Sequence, residues 1–339
     1  MYKMEHSMLS DPFKDSWWPY IIAFIVGLVA CLKNYMSGRP CPSTQRIDGK
    51  KVIVTGASSG IGYETALELA RRGGAIILAC RDLEAGDKAV AQIKQEVKDA
   101  EVQVKFLDLS SLKSIHQFVE NLDTETIDIL INNAGLAFHP FEKTEDGFEM
   151  HFISNYLGHF LLTHLLLPKL KTSDEGRIIN VSAQAHYASD IKLDDLNHEE
   201  QYTAREAFGQ SKLALVLMTH HMAKLLQGTS VGIYALHPGL VRGTKHMRHS
   251  IFKNSFMVQV AMLPWIWLFM KTPVEGAQTT IYVAVASEVA KCSGKYFGEC
   301  EMKKAATKAT DDDLAEALYK KSCSLVGIEN PFQHKKQLD

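Results

Sequence analysis

A marked charge of either sign is missing from this 339-residue chain, in which 37 basic and 39 acidic side chains leave a formal net charge of −2. Without a basic excess, a protein that holds nucleic acid by bulk positive charge is not expected. Disorder is excluded from the other direction, because hydrophobic residues make up 46% of the chain and charged ones 22%. Cysteine is sparse, and Cys31, Cys41, Cys80, Cys292, Cys300 and Cys323 contain no C-x-x-C spacing. That removes the zinc and dithiol signatures and leaves reduced, idle thiols as the expectation, with Cys292 and Cys300 near enough to meet in a hairpin. The 14 histidines form no H-x-x-x-H or H-E-x-x-H arrangement, so no metal site is expected. Internal repeats and low-complexity tracts are absent as well.

Long apolar runs, by contrast, are present. Ser16 to Leu32 (SWWPYIIAFIVGLVACL) carries no charge over 17 residues, near the lower limit for crossing a bilayer, and Trp17, Trp18 and Tyr20 sit at one edge as interfacial aromatics do. The segment before it is slightly acidic, and Lys33, Arg39, Arg46, Lys50 and Lys51 follow it. The positive-inside rule then places the bulk of the chain in the cytosol and a short tail in the lumen. A basic leader and a small-x-small cleavage site are lacking, which favours an uncleaved anchor over a signal peptide or an interfacial helix. A second uncharged stretch, Asn254 to Met270, holds Pro264 and the sequence MLPWIWLFM. It reads as an amphipathic or membrane-dipping flap, a second span or a buried helix.

Between these runs, strand and helix patterns alternate. KVIVT (51–55) reads as a buried parallel strand, and AIILAC (75–80), 102–107, IDILI (127–131), GRIINV (176–181) and 231–236 read as further strands, separated by helical stretches at 63–72, 83–98, 114–121, 148–171 and 207–227. That order implies a single doubly wound α/β, Rossmann-type domain with a parallel sheet covered on both faces. The expected division is a lumenal tail at 1–15, an anchor at 16–33, a Pro-containing linker at 34–48, the α/β domain at 49–300 and a charged helical tail at 301–339.

The strongest chemical signal is TGASSGIG, with Gly56, Gly60 and Gly62 between the first strand and a helix. Glycines there allow a tight turn and let backbone N–H groups at a helix N-terminus approach a pyrophosphate. The second strand ends in Cys80-Arg81-Asp82. An acidic residue at that point favours NAD through the ribose hydroxyl, whereas Arg81 suits a 2′-phosphate and hence NADP, with NAD the less favoured choice.

TGASSGIG, NNAG (132–135), Asn155 in ISNYLGHFLLT, NVS (180–182), Ser211-Lys212 in FGQSKLALVL and HPG (237–239) occur in the order and spacing of the short-chain dehydrogenase/reductases, which the chain resembles over about residues 48–300. Within that family it resembles the membrane-anchored, retinol-dehydrogenase-like group. NYLGHFLLT, QSKLALVL, KTPVEGAQT and the Lys321–Cys323 KSC resemble its X-linked subtype. The resemblance implies an N-terminal anchor in the endoplasmic reticulum or lipid-droplet membrane, a cytosol-facing domain, lipophilic alcohol or carbonyl substrates and pairing of two copies through long helices. It also implies that Gly56, Ser59, Gly60, Ile61 and Gly62 cradle the pyrophosphate. Asp108 and Leu109 meet the adenine, Asn133, Ala134 and Gly135 the adjoining ribose, Lys212 the nicotinamide ribose, and Pro238, Gly239 and Val241 the nicotinamide.

The resemblance breaks at the catalytic centre. The family's Asn is Asn155 and its Lys is Lys212, but the Tyr four residues earlier is Phe208, and the second Ser of its N-V-S-S pair is Ala183. Both hydroxyls that would handle the substrate oxygen are gone, and shifting the register does not recover a Tyr. Ser182, His186, Tyr187 and Tyr202 are the candidates for a substitute donor. Two functions follow as expectations: an oxidoreductase with a slow or rewired centre, or a non-catalytic relative that senses cofactor or lipid or holds a partner.

Overall fold

The computed structural model describes residues 17–243 and 256–329, with side chains from 263 onward in the second stretch. The expected lumenal tail, the first residues of the second apolar run and the extreme C-terminus lie outside the described residues. α1 (Trp18–Ser37) is followed by β1 (Lys51–Thr55), α2 (Gly60–Arg71), β2 (Ala75–Cys80), α3 (Leu83–Glu96), β3 (Val102–Phe106), α4 (Leu112–Glu120) and β4 (Ile129–Asn132). The second half runs through α5 (Gly158–Lys171), β5 (Gly176–Val181), α6 (Ala204–Leu225), β6 (Val231–Leu236), α7 (Phe256–Phe269), α8 (Pro273–Val285), β7 (Tyr296–Gly298), β8 (Glu301–Lys303) and α9 (Asp312–Val326).

The strands form one eight-stranded sheet in the order β3-β2-β1-β4-β5-β6-β7-β8, parallel except for the last pair. The order reverses between β1 and β4, and crevices for ligands form at the carboxyl ends of strands flanking such a point. β5 and β6 are buried at every residue, as continuous apolar runs in a doubly covered sheet must be. One core lies under α4, α5, α6 and α9 and includes Phe160, Leu213 and Ile233; the other lies under α2, α3 and α8 and includes Val52, Ile131 and Leu236.

Three features depart from the sequence expectation. The helix expected over 148–171 begins with a π-helical turn, Phe152–Leu157, before α5. The two short strands β7 and β8 extend the sheet beyond its sixth strand. The stretch after residue 300, expected as a charged helical tail, is helical over α9, which packs on the domain and buries Leu318, Tyr319 and Cys323 against the core. His164 Nδ1 lies 2.7 Å from the Phe160 carbonyl, so it must be the donor, and its Nε2 therefore accepts from Tyr319 Oη at 2.8 Å. Tyr156 Oη and Ser322 Oγ pair at 2.8 Å on the same seam. α9 thus covers part of the α5–α6 surface.

α1 is the one helix among the described residues long and apolar enough to cross a membrane, and none of it is buried in the protein. All six cysteines are free.

Replacing Tyr319 by Ala leaves a cavity and an unpaired His164 nitrogen. Unfolding in urea is expected to show a loss of about 3–5 kcal/mol, as for other buried aromatics; a change no larger than that of a surface substitution would detach α9 from the core.

Candidate active site

The site is assembled around the hydroxyl of Thr55, the last residue of β1. Thr55 Oγ1 accepts the backbone N–H groups of Asn133 and Ala134, each at 2.9 Å, and lies 2.9 Å from His159 Nε2. The Asn133 side chain returns the tie by donating Nδ2 to the Thr55 carbonyl at 2.8 Å. His159 Nδ1 is 2.9 Å from the Asn155 carbonyl and must donate to it, which leaves Nε2 to accept the Thr55 hydroxyl proton. Both turns at the switch point and the π-helical turn bearing Asn155 are therefore fixed by one neutral imidazole. Burial pushes the His159 pKa down to about 3, so it stays neutral as this network requires.

Next to this hub is the glycine turn. Gly56 and Gly60 have φ of 65° and 64°, in the left-handed region that favours glycine. A Cβ on Gly56 would come within 2.9 Å of the Ala134 Cα, and one on Gly62 within 2.5 Å of Asn133 Nδ2 and 2.7 Å of the Gly56 carbonyl. The extended Ser59 makes no side-chain cap to α2. This is a cradle that closes if side chains are added, with helix N–H donors at its floor, and it suits a pyrophosphate. Arg81 is exposed at the end of β2, while Asp82 is committed to capping α3 through the Ala85 N–H at 3.0 Å. Asp108 accepts the backbone and hydroxyl protons of Ser110, and the Leu109 carbonyl sits 2.4 Å from where a Cβ on Gly158 would be.

The Asn and Lys positions are both deep in the protein. Asn155 is fully buried; its side chain donates to the Leu136 carbonyl at 3.0 Å and to Ser211 Oγ at 2.9 Å, and accepts from the Leu136 N–H at 2.8 Å. Lys212 on α6 donates to the Val181 carbonyl at 2.9 Å, and burial lowers its pKa to about 8. The Phe208 ring centroid lies 5.9 Å from Lys212 Nζ. The ring is half-buried, 6.0 Å from Phe138 and 6.3 Å from His151. Ala183 follows β5 with an extended backbone and offers only a methyl group.

Each substitute hydroxyl or imidazole has another commitment. Ser182 donates to the Lys212 carbonyl at 2.7 Å. His186 is buried, with Nδ1 on the Ala183 carbonyl and Nε2 accepting the Ala306 N–H. Tyr187 Oη donates to the Lys304 carbonyl at 2.6 Å, and Tyr202 Oη to the His139 carbonyl at 2.5 Å.

At the far wall, β6 is followed by His237, stacked on Tyr296 at 5.5 Å with its Nδ1 unpartnered. Its burial lowers the pKa to about 4. Beyond it, Gly239 takes φ 83°, and a Cβ there would come within 3.2 Å of the Lys271 side chain. Lys271 is 6% exposed and pairs with Glu299 at 2.6 and 2.7 Å. Its backbone bridges to Val241, with Lys271 N–H on the Leu240 carbonyl and Arg242 N–H on the Lys271 carbonyl. A Cβ on Gly38, just past α1, would strike both Glu299 and Lys271.

A family model described as "short chain dehydrogenase" matches residues 50–254. The chain belongs to the short-chain dehydrogenase family. It is 49% identical to Retinol dehydrogenase 13 of Homo sapiens over 310 residues, 91% of this chain and 93% of that one. A crystal structure of a protein from Mycobacterium paratuberculosis is 32% identical with a TM-score of 0.70, covering 87% of this chain and 99% of its own. A short-chain dehydrogenase from Shigella flexneri, solved with NADP, shares the fold at 23% identity and a TM-score of 0.60, covering 76% and 100%.

The structure brings Gly56, Gly60, Gly62, Asn133, Ala134, Asn155, Lys212 and Phe208 of this short-chain dehydrogenase to one end of its sheet. Three members of the constellation escape the sequence reading. Thr55 opens TGASSGIG and His159 lies within ISNYLGHFLLT, but neither motif as read assigns them a role, and only the chain crossing at the switch point makes them partners. His237 stands inside a recognised motif, but its unclaimed nitrogen is visible only in three dimensions.

The buried imidazoles set a pH dependence. His159, His164 and His237 have folded pKa values lowered by burial to about 3, 4 and 4. Below the ordinary value near 6.5 the unfolded chain therefore binds protons that the folded one refuses, and stability falls as pH falls. The urea midpoint at pH 5 is expected below that at pH 7.5; a midpoint that rises on acidification would contradict these neutral assignments.

Proposed function

We propose that the protein is a membrane-anchored, NADP(H)-binding oxidoreductase for lipophilic alcohols or carbonyls of retinoid, polyisoprenoid or steroid-like character, with a degenerate catalytic centre. The observation that carries this reading is the glycine cradle at the switch point beside Ala183 and Phe208. Gly56, Ser59, Gly60, Ile61 and Gly62 would hold the pyrophosphate, and Arg81, free of Asp82, the 2′-phosphate. Asp108 and Leu109 would face the adenine, Asn133 to Gly135 the ribose, Lys212 the second ribose, and Pro238, Gly239 and Val241 the nicotinamide. The bound nucleotide supplies or accepts hydride. α1 anchors the chain, and Lys33 and Arg39 at its end keep the domain on the cytosolic side of an endoplasmic reticulum or lipid-droplet membrane. KTPVEGAQT and the Lys321–Cys323 KSC resemble the X-linked subtype, and that resemblance is what supports an assignment to that branch. Because α9 occupies part of the α5–α6 surface, pairing of two copies would use the surface that α9 leaves open.

What the chain's residues do to a substrate oxygen follows from what they lack. A phenol at position 208 would exchange a proton with the alkoxide, and a hydroxyl at 183 would hold the oxygen as charge develops. Phe208 and Ala183 do neither. Lys212, with its charge beside a phenyl ring, has no phenol to acidify. General acid–base work is worth ~10²–10⁴-fold and an oxyanion donor ~10²–10³-fold, and the two act as a unit rather than multiplying.

A second reading, a non-catalytic sensor or scaffold, draws on the other commitments of Ser182, His186, Tyr187 and Tyr202. The two readings separate in one experiment. The full chain in membrane is given NADPH or NADP and a panel of long-chain aldehydes and alcohols, with and without Ala183→Ser plus Phe208→Tyr. The double substitution is expected to raise turnover by at least ~10²-fold. A native rate that it cannot improve overturns the degenerate-centre reading, and no turnover in either form favours the sensor. Separately, Arg81→Ala is expected to weaken NADPH binding roughly 10–150-fold while leaving NADH binding unchanged, since a charge-assisted contact is worth ~1.5–3 kcal/mol; unchanged NADPH titration removes Arg81 from the site.

A further inference from the structure

We infer that α7 is a re-entrant membrane helix, immersed in the bilayer beside α1, which opens the candidate site directly to lipid. The inference rests on the anchor reading of α1 and goes beyond it.

The first ground is the character of the helix. α7 runs for 14 residues, FMVQVAMLPWIWLF, without a charge. Among its described side chains, 263–269, exposure does not divide into a wet face and a dry face. Trp265 and Trp267 are 58% and 46% exposed although two residues apart, which on a helix puts them on nearly opposite sides. Leu263 is 58% exposed as well. A surface helix of a water-soluble domain hides one apolar stripe and shows a polar one; a helix apolar all round belongs in a core or in lipid. These exposures among the described residues argue against a buried core helix, and a sequence with Gln259 as its one polar side chain does not supply the polar face of an amphipathic helix.

The second ground is position. α7 packs against α1. The apolar surface continues through Leu240 and Val274, 60% and 52% exposed, on either side of the Lys271 neck. An exposed apolar patch of this kind is a binding surface, and a bilayer is its occupant because α1 already lies against it. α1 is docked on the domain by Lys33 beside Glu275 at 3.8 Å, by the Cys41 N–H on Gln278 at 2.9 Å and by Cys300 Sγ on the Arg39 carbonyl. Anchor and flap therefore enter the same membrane face together.

Length fixes the depth. The 14 residues of α7 extend about 21 Å and fall short of a hydrocarbon core of about 30 Å, and both ends of the helix connect back to the domain. α7 dips into lipid, and Lys271, paired with Glu299, marks its return to the domain. The loop Pro238–Val241, joined to Lys271 by backbone bonds, thereby sits at the membrane surface. A substrate with a long apolar tail reaches it along α7 without crossing water.

The chain supplies its own probe: its four tryptophans are Trp17 and Trp18 at the start of α1 and Trp265 and Trp267 on α7. The full chain is reconstituted into phosphatidylcholine vesicles with or without brominated acyl chains. In Trp17→Phe plus Trp18→Phe, where only α7 emits, brominated lipid is expected to extinguish most of the fluorescence and aqueous iodide to leave it. The complementary Trp265→Phe plus Trp267→Phe reports α1 alone. Quenching of the α7 pair by iodide but not by bromine, or shielding from both by a second copy of the chain, overturns the inference while the α1 signal keeps the anchor intact. Loss of bromine quenching in the α1 reporter as well brings down the anchor reading with it.

Discussion

One hydroxyl proton decides the geometry of the site. Thr55 Oγ1 accepts from Asn133 and Ala134, so its own proton must go elsewhere, and the lone pair of His159 Nε2 takes it. That assignment forces the other imidazole nitrogen to donate to the Asn155 carbonyl and keeps the ring neutral. The turn after β1, the turn after β4 and the irregular start of the helix that carries Asn155 are thus three readings of one hydrogen-bond chain. In a buried setting every member must be satisfied, since an orphaned donor costs about 1–3 kcal/mol. The arrangement resists partial change more strongly than three separate contacts would.

Beside this rigid half stands a chemically blank one. Phe208 and Ala183 keep the shape of their positions and remove the exchangeable protons. The lysine that would tune a phenol remains buried, and its nitrogen is satisfied by the Val181 carbonyl. On the proposed function, the nucleotide side and the proton-transfer side of the site would be separable: glycines and backbone N–H groups at the first, apolar side chains at positions 183 and 208 at the second.

Much of this was legible in the residues. Continuous apolar runs gave the buried parallel strands, and the glycine spacing located the turn at the switch point, because both depend on local chemistry. Ala183 and Phe208 stand out in the sequence only through the family resemblance, which implies a Ser and a Tyr at those positions. What stayed hidden depends on chain crossings. Thr55 is one more β-branched residue at a strand end, and His159 one more polar residue in a helix, until β1 and the helix before β5 are brought together. β7 and β8 are three residues each and carry no period to detect. Tyr319 and Ser322 lie in a charged-looking segment whose buried stripe declares itself only against α5. The all-round apolarity of α7 is in the sequence, but the choice between core and lipid needed the exposure of its opposite faces.

The backbone bridge between Val241 and Lys271 has a mechanical consequence. It closes the excursion from the sixth strand to α8 at its base, as a drawstring closes a bag. Residues between the two sides of that closure answer to whatever lies outside the domain, while the sheet answers only to the closure. A change of length or composition inside the excursion therefore stops at the closure and leaves the sheet undisturbed.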